Sequence, residues 1–150
     1  MQITAKKIIE CTSVELHQIY ALRSQVFVVE QNCAYQDVDE KDLQAIHVCV
    51  KEQDNLVAYC RILPPGVAYS DTAIGRVLVA QNQRHKGFAK LLMQWSINYS
   101  FKHFEHHHIL ISAQTYLVNF YEGLGFVIEG EGYLEDNIPH QKMRLKRPIV

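Results

Sequence analysis

Apolar positions recur along this chain with two different periods, and each change of period marks a predicted element. Leu16, Ile19, Tyr20, Arg23, Val26 and Phe27 repeat at three- and four-residue intervals, which predicts a helix from about Val14 to Val28. Thr12 and Ser13 offer caps, and Glu15 stands three after Thr12 as a capping box requires. A weak strand pattern from Ala5 to Ile9 precedes them. From Glu30 to Leu43 the period is lost and acids accumulate at Asp37, Asp39, Glu40 and Asp42, so this segment reads as a loop with room for a short helix.

Ile46 to Lys51 and Leu56 to Leu63 are then β-rich runs on either side of a hairpin turn at Glu52-Gln53-Asp54-Asn55. Pro64-Pro65-Gly66 ends the second run. Ala73 to Val79 is another strand. Gly87 to about Phe104 is helical, its apolar surface built from Leu91, Leu92, Trp95, Ile97, Tyr99 and Phe101. Ile109 to Ala113 is a buried type of strand. Leu117 to Leu124 is a short helix closed by Gly125, and Phe126 to Ile128 and Lys142 to Leu145 are the last strands. This order predicts an α/β fold, helices packed on a mixed sheet of six to seven strands. The unit from Ala73 to Ala113 should be a right-handed parallel crossover.

Composition narrows the class. The 150 residues suit one domain over 1–150. An apolar fraction of 48%, a charged fraction of 21% and a formal net charge of −1 fit a globular protein with no global field for nucleic acid. No run approaches the roughly 20 apolar residues of a membrane span, and MQITAKKIIE has no apolar signal core, so a cytoplasmic protein is expected. Cys11, Cys33, Cys49 and Cys60 form no C-x-x-C pair and no zinc spacing; Cys49 and Cys60 read as small core residues.

The sharpest local signal is Gln83-Arg84-His85-Lys86-Gly87-Phe88-Ala89, between a strand and a helix. A helix start exposes unpaired N–H groups and the positive end of its dipole, which suits an anion. Gly87 lets a phosphate approach the backbone, Ala89 keeps the next position small, and Arg84, His85 and Lys86 add charge. Neither G-x-x-x-x-G-K-[ST] nor G-x-G-x-x-G is present, so ATP and dinucleotide readings lose support.

Arg84 to Ala89 resembles the R/Q-x-x-G-x-G/A loop of the GCN5-related N-acetyltransferases, the GNAT family. Asn119-Phe120-Tyr121-Glu122-Gly123-Leu124-Gly125-Phe126 is similar to that family's N-x-x-F/Y-Y-x-x-x-G-F segment. Arg23 to Gln31, Tyr35-Gln36-Asp37-Val38-Asp39, Ile74-Gly75-Arg76-Val77, Ala113-Gln114 and Ile138-Pro139-His140 resemble its ElaA-like branch. The resemblance spans nearly the whole chain. It implies a GNAT-type fold whose central parallel strands, Ala73–Val79 and Ile109–Ala113, splay apart at one end around a thioester.

It also implies acetyl-CoA as co-substrate and a primary amine as acceptor. The N–H groups of Arg84, His85, Lys86, Gly87, Phe88 and Ala89 would hold the CoA pyrophosphate. Leu78 and Val79 would pair with the pantetheine amides as an added strand does, a backbone N–H near Val79 would polarise the thioester, and Asn119 would contact the cofactor. Tyr121 would give a proton to the departing thiolate. For the base, Glu30, His47 and His140 stay open. Arg61, Arg76 and Gln114 are acceptor-binding candidates; if both arginines face the cleft, the acceptor carries a carboxylate or phosphate. No metal is expected: His103, His106, His107 and His108 read as a solvated helix end, and the Asp37–Asp42 run lacks the glycine and terminal Glu of a calcium loop. It reads as a loop over the acceptor cleft or a solvated face. GNAT proteins are often dimers, so a homodimer is among the expected states. Two rivals remain, a non-catalytic acyl-CoA-binding module and an acetyltransferase acting on protein lysines or N-termini.

Overall fold

A computed structural model describes residues 1–149. Eight strands form one sheet in the order β1-β2-β3-β4-β5-β8-β6, with β7 also paired to β8. The strands are β1 (Gln2–Lys7), β2 (Ile46–Glu52), β3 (Asn55–Leu63), β4 (Thr72–Val79), β5 (Ile109–Gln114), β6 (Val127–Ile128), β7 (Tyr133–Glu135) and β8 (Ile138–Leu145). The helices are α1 (Ser13–Arg23), α2 (Phe88–His103) and α3 (Val118–Glu122). The sheet thus has one strand more than the sequence predicts. The addition is β7, three exposed residues with no burial pattern to betray them.

Two boundaries moved for physical reasons. The predicted helix to Val28 is regular only to Arg23, and Ser24–Glu30 widens into a π-helical stretch. The last strand begins at Ile138, so His140 lies on β8 itself and not in a loop before it. The Thr12 cap is as predicted: its hydroxyl accepts from the Glu15 N–H at 3.1 Å, and the Glu15 carboxylate accepts from the Thr12 N–H at 3.0 Å.

The main core lies between the sheet and α2. Val48, Val50, Cys60 and Ile62 of β2 and β3 meet Leu92 and Met93, all fully buried. Burying a side chain of that kind contributes about 1.5–3 kcal/mol, so this contact fixes α2 on the sheet. A second cluster, Ile19, Val26, Cys49, Tyr59 and Leu78, holds α1 and its extension on the opposite face. Among the described residues no helix is long and apolar enough to cross a membrane.

What matters for a site is how β4 and β5 part. They are parallel, yet only Thr72 with Ile109 and Ala73 with Leu110 are paired. Beyond Ala73 each strand runs on without the other. β4 also bulges: Gly75 to Leu78 on β4 spans the same ladder as Arg61 to Tyr59 on β3, which leaves one extra residue on β4. Arg76 in that bulge has φ +51. The bulge turns β4 away from β5 and opens a gap in mid-sheet.

Candidate active site

Two cavities meet in this gap. The larger, about 610 Å³, runs along the outer half of β4 to the start of α2. The smaller, about 110 Å³, lies between the parted strands and reaches β7 and β8. Phe27, Gln31, Val77, Gln114, Leu117 and Tyr121 line both. A donor entering from one side and an acceptor from the other would meet at this shared wall.

The large cleft ends on the basic loop. Gly87 precedes α2 with φ +85, the left-handed region where a side chain costs energy. His85 is also left-handed, with φ +66. The first bond at the helix start runs from Leu91 N–H to the Gly87 carbonyl at 3.1 Å. The N–H groups from Lys86 to Lys90 have no partner among the described residues. Such N–H groups are donors of the kind that can cradle an anion, and His85, Gly87, Phe88 and Ala89 stand on the cleft wall. Arg84 lies beside them, its Nε donating to the Val79 carbonyl at 3.1 Å and its Nη2 to Glu30 at 2.9 Å.

Tyr121 stands where the cavities join. It is 6% exposed, packed edge-on against Phe120 and Phe126. Its hydroxyl has no hydrogen-bond partner among the described residues. Burial pushes the phenol well above its ordinary pKa of 10.0, with Cys60 and Tyr116 adding to the rise. Tyr121 therefore holds its proton at neutral pH and has no other use for it within the protein.

Across the smaller cavity, His140 is 7% exposed and stacks on Tyr133. Its Nδ1 lies 2.7 Å from the Ile138 carbonyl, which can only accept, so Nδ1 carries the proton. In its neutral form the ring has its lone pair on Nε2, which lies 3.4 Å from a Glu135 carboxylate oxygen. A ring oriented in this way can take a proton.

A model of the Acetyltransferase (GNAT) domain matches residues 10–147. The chain belongs to the GNAT acetyltransferase family. Escherichia coli ElaA is 39% identical over 128 residues, 84% of either chain. A Schizosaccharomyces pombe protein of the UPF0039 group is 40% identical over 134 residues, 88% of either chain. Among solved structures, an acyl-CoA N-acyltransferase from Pseudomonas aeruginosa superposes with a TM-score of 0.92 at 36% identity, covering 97% of this chain and 99% of its own. The crystal structure of ElaA gives 0.91 at 35% identity, with the same coverage. The fold is accordingly the splayed-sheet GNAT fold, and the ElaA-like branch is the right one within it.

This GNAT chain does not bring all the predicted residues together. Leu78, Val79, Arg84, His85, Gly87, Phe88 and Ala89 line the larger cleft, and Tyr121 and Gln114 line both cavities. Lys86 lies off the wall, its Nζ on the Gln83 side chain at 3.1 Å. Asn119 is exposed on α3 and does not line the cleft; Tyr116, Leu117 and Phe120 of that segment do. Glu30 sits at the cleft mouth on Arg84, away from the smaller cavity. His47 is fully buried and held at both nitrogens, Nε2 donating to the Asp42 carbonyl at 3.0 Å and Nδ1 accepting from the Tyr59 hydroxyl at 2.7 Å. Burial lowers its pKa, so it stays neutral and has no free lone pair.

The arginines are the main correction. Arg61 is 4% exposed and lines neither cavity. Its Nη1 bonds Asp39 at 2.7 Å and Asp42 at 3.0 Å. Arg23, wholly buried, bonds Asp42 at 2.6 Å and Asp37 at 2.9 Å. Arg76 does line the smaller cavity, yet its Nε is 2.8 Å from Asp37 and its Nη2 donates to the Asp37 carbonyl at 2.9 Å. So Arg61 and Arg76 do not face the cleft as a free pair. The Asp37–Asp42 run is neither a cleft lid nor a solvated face: Asp37 and Asp42 are buried against three guanidinium groups. Burial opposes the charge on Asp42, but the bonds from Arg23 outweigh it and hold its pKa below 3.8. The network ties the segment after α1 to β3 and β4 and so sets Gln31, Cys33 and Tyr35 on the cavity wall.

His103 and His108, near the end of α2, have partners within the protein. His103 Nδ1 bonds the Tyr99 carbonyl at 2.9 Å, and His108 Nδ1 accepts from the Arg147 N–H at 2.8 Å.

Proposed function

We propose that this protein moves an acetyl group from acetyl-CoA to the primary amine of a small molecule, by direct attack on the thioester. The observation that carries the reading is Tyr121, a buried phenol with an unpartnered hydroxyl on the wall shared by the two cavities. In the larger cleft, the free N–H groups at the start of α2 receive the pyrophosphate and β4 offers its unpaired edge to the pantetheine amides. His140 Nε2 takes a proton from the attacking ammonium, directly or through water. The amine nitrogen bonds the carbonyl carbon, the C–S bond breaks, Tyr121 gives its proton to the thiolate, and the second proton shed by the nitrogen as the amide forms returns to the Tyr121 oxygen through water. A cavity of about 110 Å³ favours a short acyl group and a small acceptor over a peptide. Residues 1–150 would act as one domain in this scheme.

Calorimetric titration with acetyl-CoA, with adenosine diphosphate as control, tests the donor half. Release of free thiol in the presence of a panel of primary amines tests the transfer. Tight binding that needs the pantetheine arm, followed by amine-dependent thiol release, is the expected result. Binding without thiol release from any amine would favour a module that only senses acyl-CoA.

A further inference from the structure

The rim of the smaller cavity carries two carboxylates, Glu135 and Asp136, that no lysine or arginine neutralises among the described residues. β7 ends at Glu135, and the turn residues Asp136 and Asn137, with φ +51 and +63, return the chain into β8. This is the two-residue turn geometry that fits the twist of a hairpin. It sets Glu135 and Asp136 side by side on the cavity wall, next to His140. The Asp136 carboxylate has no partner among the described residues. Glu135 is half-exposed, and its near neighbour is the His140 ring, with Nε2 at 3.4 Å. Arg76 is the one arginine or lysine on that wall, and its charge is already met by Asp37 at 2.8 Å and Asp39 at 3.6 Å. An independent feature points to a ligand in the same space: Tyr121, nine-tenths buried, turns an unpartnered hydroxyl onto this wall.

We propose that the acceptor is an amine with a second positive charge and no carboxylate or phosphate, held at the rim by Glu135 and Asp136 while its reacting nitrogen lies between Tyr121 and His140. The inference rests on the acetyltransferase reading. The attacking nitrogen must be neutral, and two carboxylates placed against it would keep it protonated. They are useful only to a second ammonium that stays charged throughout. An acceptor with its own carboxylate would meet like charge at the rim and find no free guanidinium inside. This reverses the acceptor chemistry that Arg61 and Arg76 suggest in the sequence.

The test is calorimetric binding of three compounds of equal length, 1,4-diaminobutane, butylamine and 4-aminobutanoate, to protein saturated with CoA. Wild type should bind the diamine about ten-fold or more tightly than butylamine, since charge-assisted hydrogen bonds are strong and each tenfold is a modest free energy. It should bind 4-aminobutanoate least. In Glu135→Gln/Asp136→Asn the diamine's advantage should fall to about two-fold or less. Asn tolerates the left-handed backbone at position 136, so the turn survives the change. Equal or tighter binding of butylamine or 4-aminobutanoate in wild type, or an advantage that persists in the variant, overturns the inference. CoA titration of both proteins and thiol release report separately on the acetyltransferase reading. Failure there with diamine selectivity intact would remove the transfer chemistry and leave the cation site.

Discussion

Glu30 and Arg84, 54 residues apart in sequence, meet at 2.9 Å across the mouth of the larger cleft. A diphosphate arriving there is drawn by Arg84 and repelled by Glu30, and it must compete with Glu30 for the guanidinium. Glu30→Gln should therefore tighten acetyl-CoA about three- to ten-fold, and Arg84→Ala should weaken it about ten-fold. Both effects should shrink as salt rises. Calorimetry at two ionic strengths checks this. Weaker binding in Glu30→Gln would mean that the carboxylate aids the donor, as a base or water-holder would.

Gly87 isolates the role of the cradle. A Cβ built there meets nothing within 4 Å, so alanine causes no clash inside the protein. Its cost is the φ of +85, about 1–2 kcal/mol, together with a methyl group where, on the proposed reading, a phosphate would approach. Gly87→Ala should lower the melting temperature slightly and weaken acetyl-CoA by much more than that loss explains. Unchanged affinity would place the pyrophosphate elsewhere.

Arg23 tests the buried network. Replacing it by Met keeps much of the volume and leaves Asp37 and Asp42 buried with less compensation. Breaking such a pair costs about 3–5 kcal/mol, to be read as a shifted urea midpoint. Because the network sets Gln31, Cys33 and Tyr35 on the cavity wall, acceptor turnover should suffer more than CoA binding. A loss below about 1 kcal/mol would mean that the acids rearrange toward solvent.

That network also shows where the sequence stops being informative. The order of elements, the basic loop and the Tyr121 segment depend on local period and short motifs, and all are readable from neighbouring residues. The arginine–aspartate cluster joins residues up to 39 positions apart, as in Arg76 with Asp37, and no local rule pairs them. One signal was available: Arg23 occupies the apolar stripe of α1, where a charge needs counter-charges, and the nearest surplus of acids is Asp37 to Asp42. β7 escapes for the opposite reason, since three exposed residues bury nothing and leave no pattern. Without β7 the strand containing His140 looks shorter than it is, and Glu135 and Asp136 look like ordinary loop acids.

Glu15 governs an acid limb of stability. The Thr12 N–H, with Lys6 and Lys51, pulls its carboxyl from 4.5 down to about 2. A depressed folded-state pKa means that the group stabilises the protein fully above 4.5 and loses that contribution as pH falls toward 2. Glu15→Gln should be less stable than wild type at neutral pH and approach it between those limits. Urea midpoints measured from pH 6 to pH 2 check this. A gap between the two proteins that stays constant over the range would assign the effect to lost packing.

Tyr121→Phe is the most direct test of the chemistry, because the substitution removes one oxygen that nothing in the protein uses. No hydrogen bond is lost, so folding stability should be unchanged or slightly higher. The ring packing on Phe120 and Phe126 is kept, and acetyl-CoA should bind as before. If the phenol protonates the leaving thiolate, kcat should fall about 10²-fold or more with little change in the KM of the amine. An acyl donor with a less basic thiol leaving group needs that proton less, so it should recover part of the lost rate. A variant as fast as wild type, with either donor, would reduce Tyr121 to a wall of the cavity and shift the search for the acid to water.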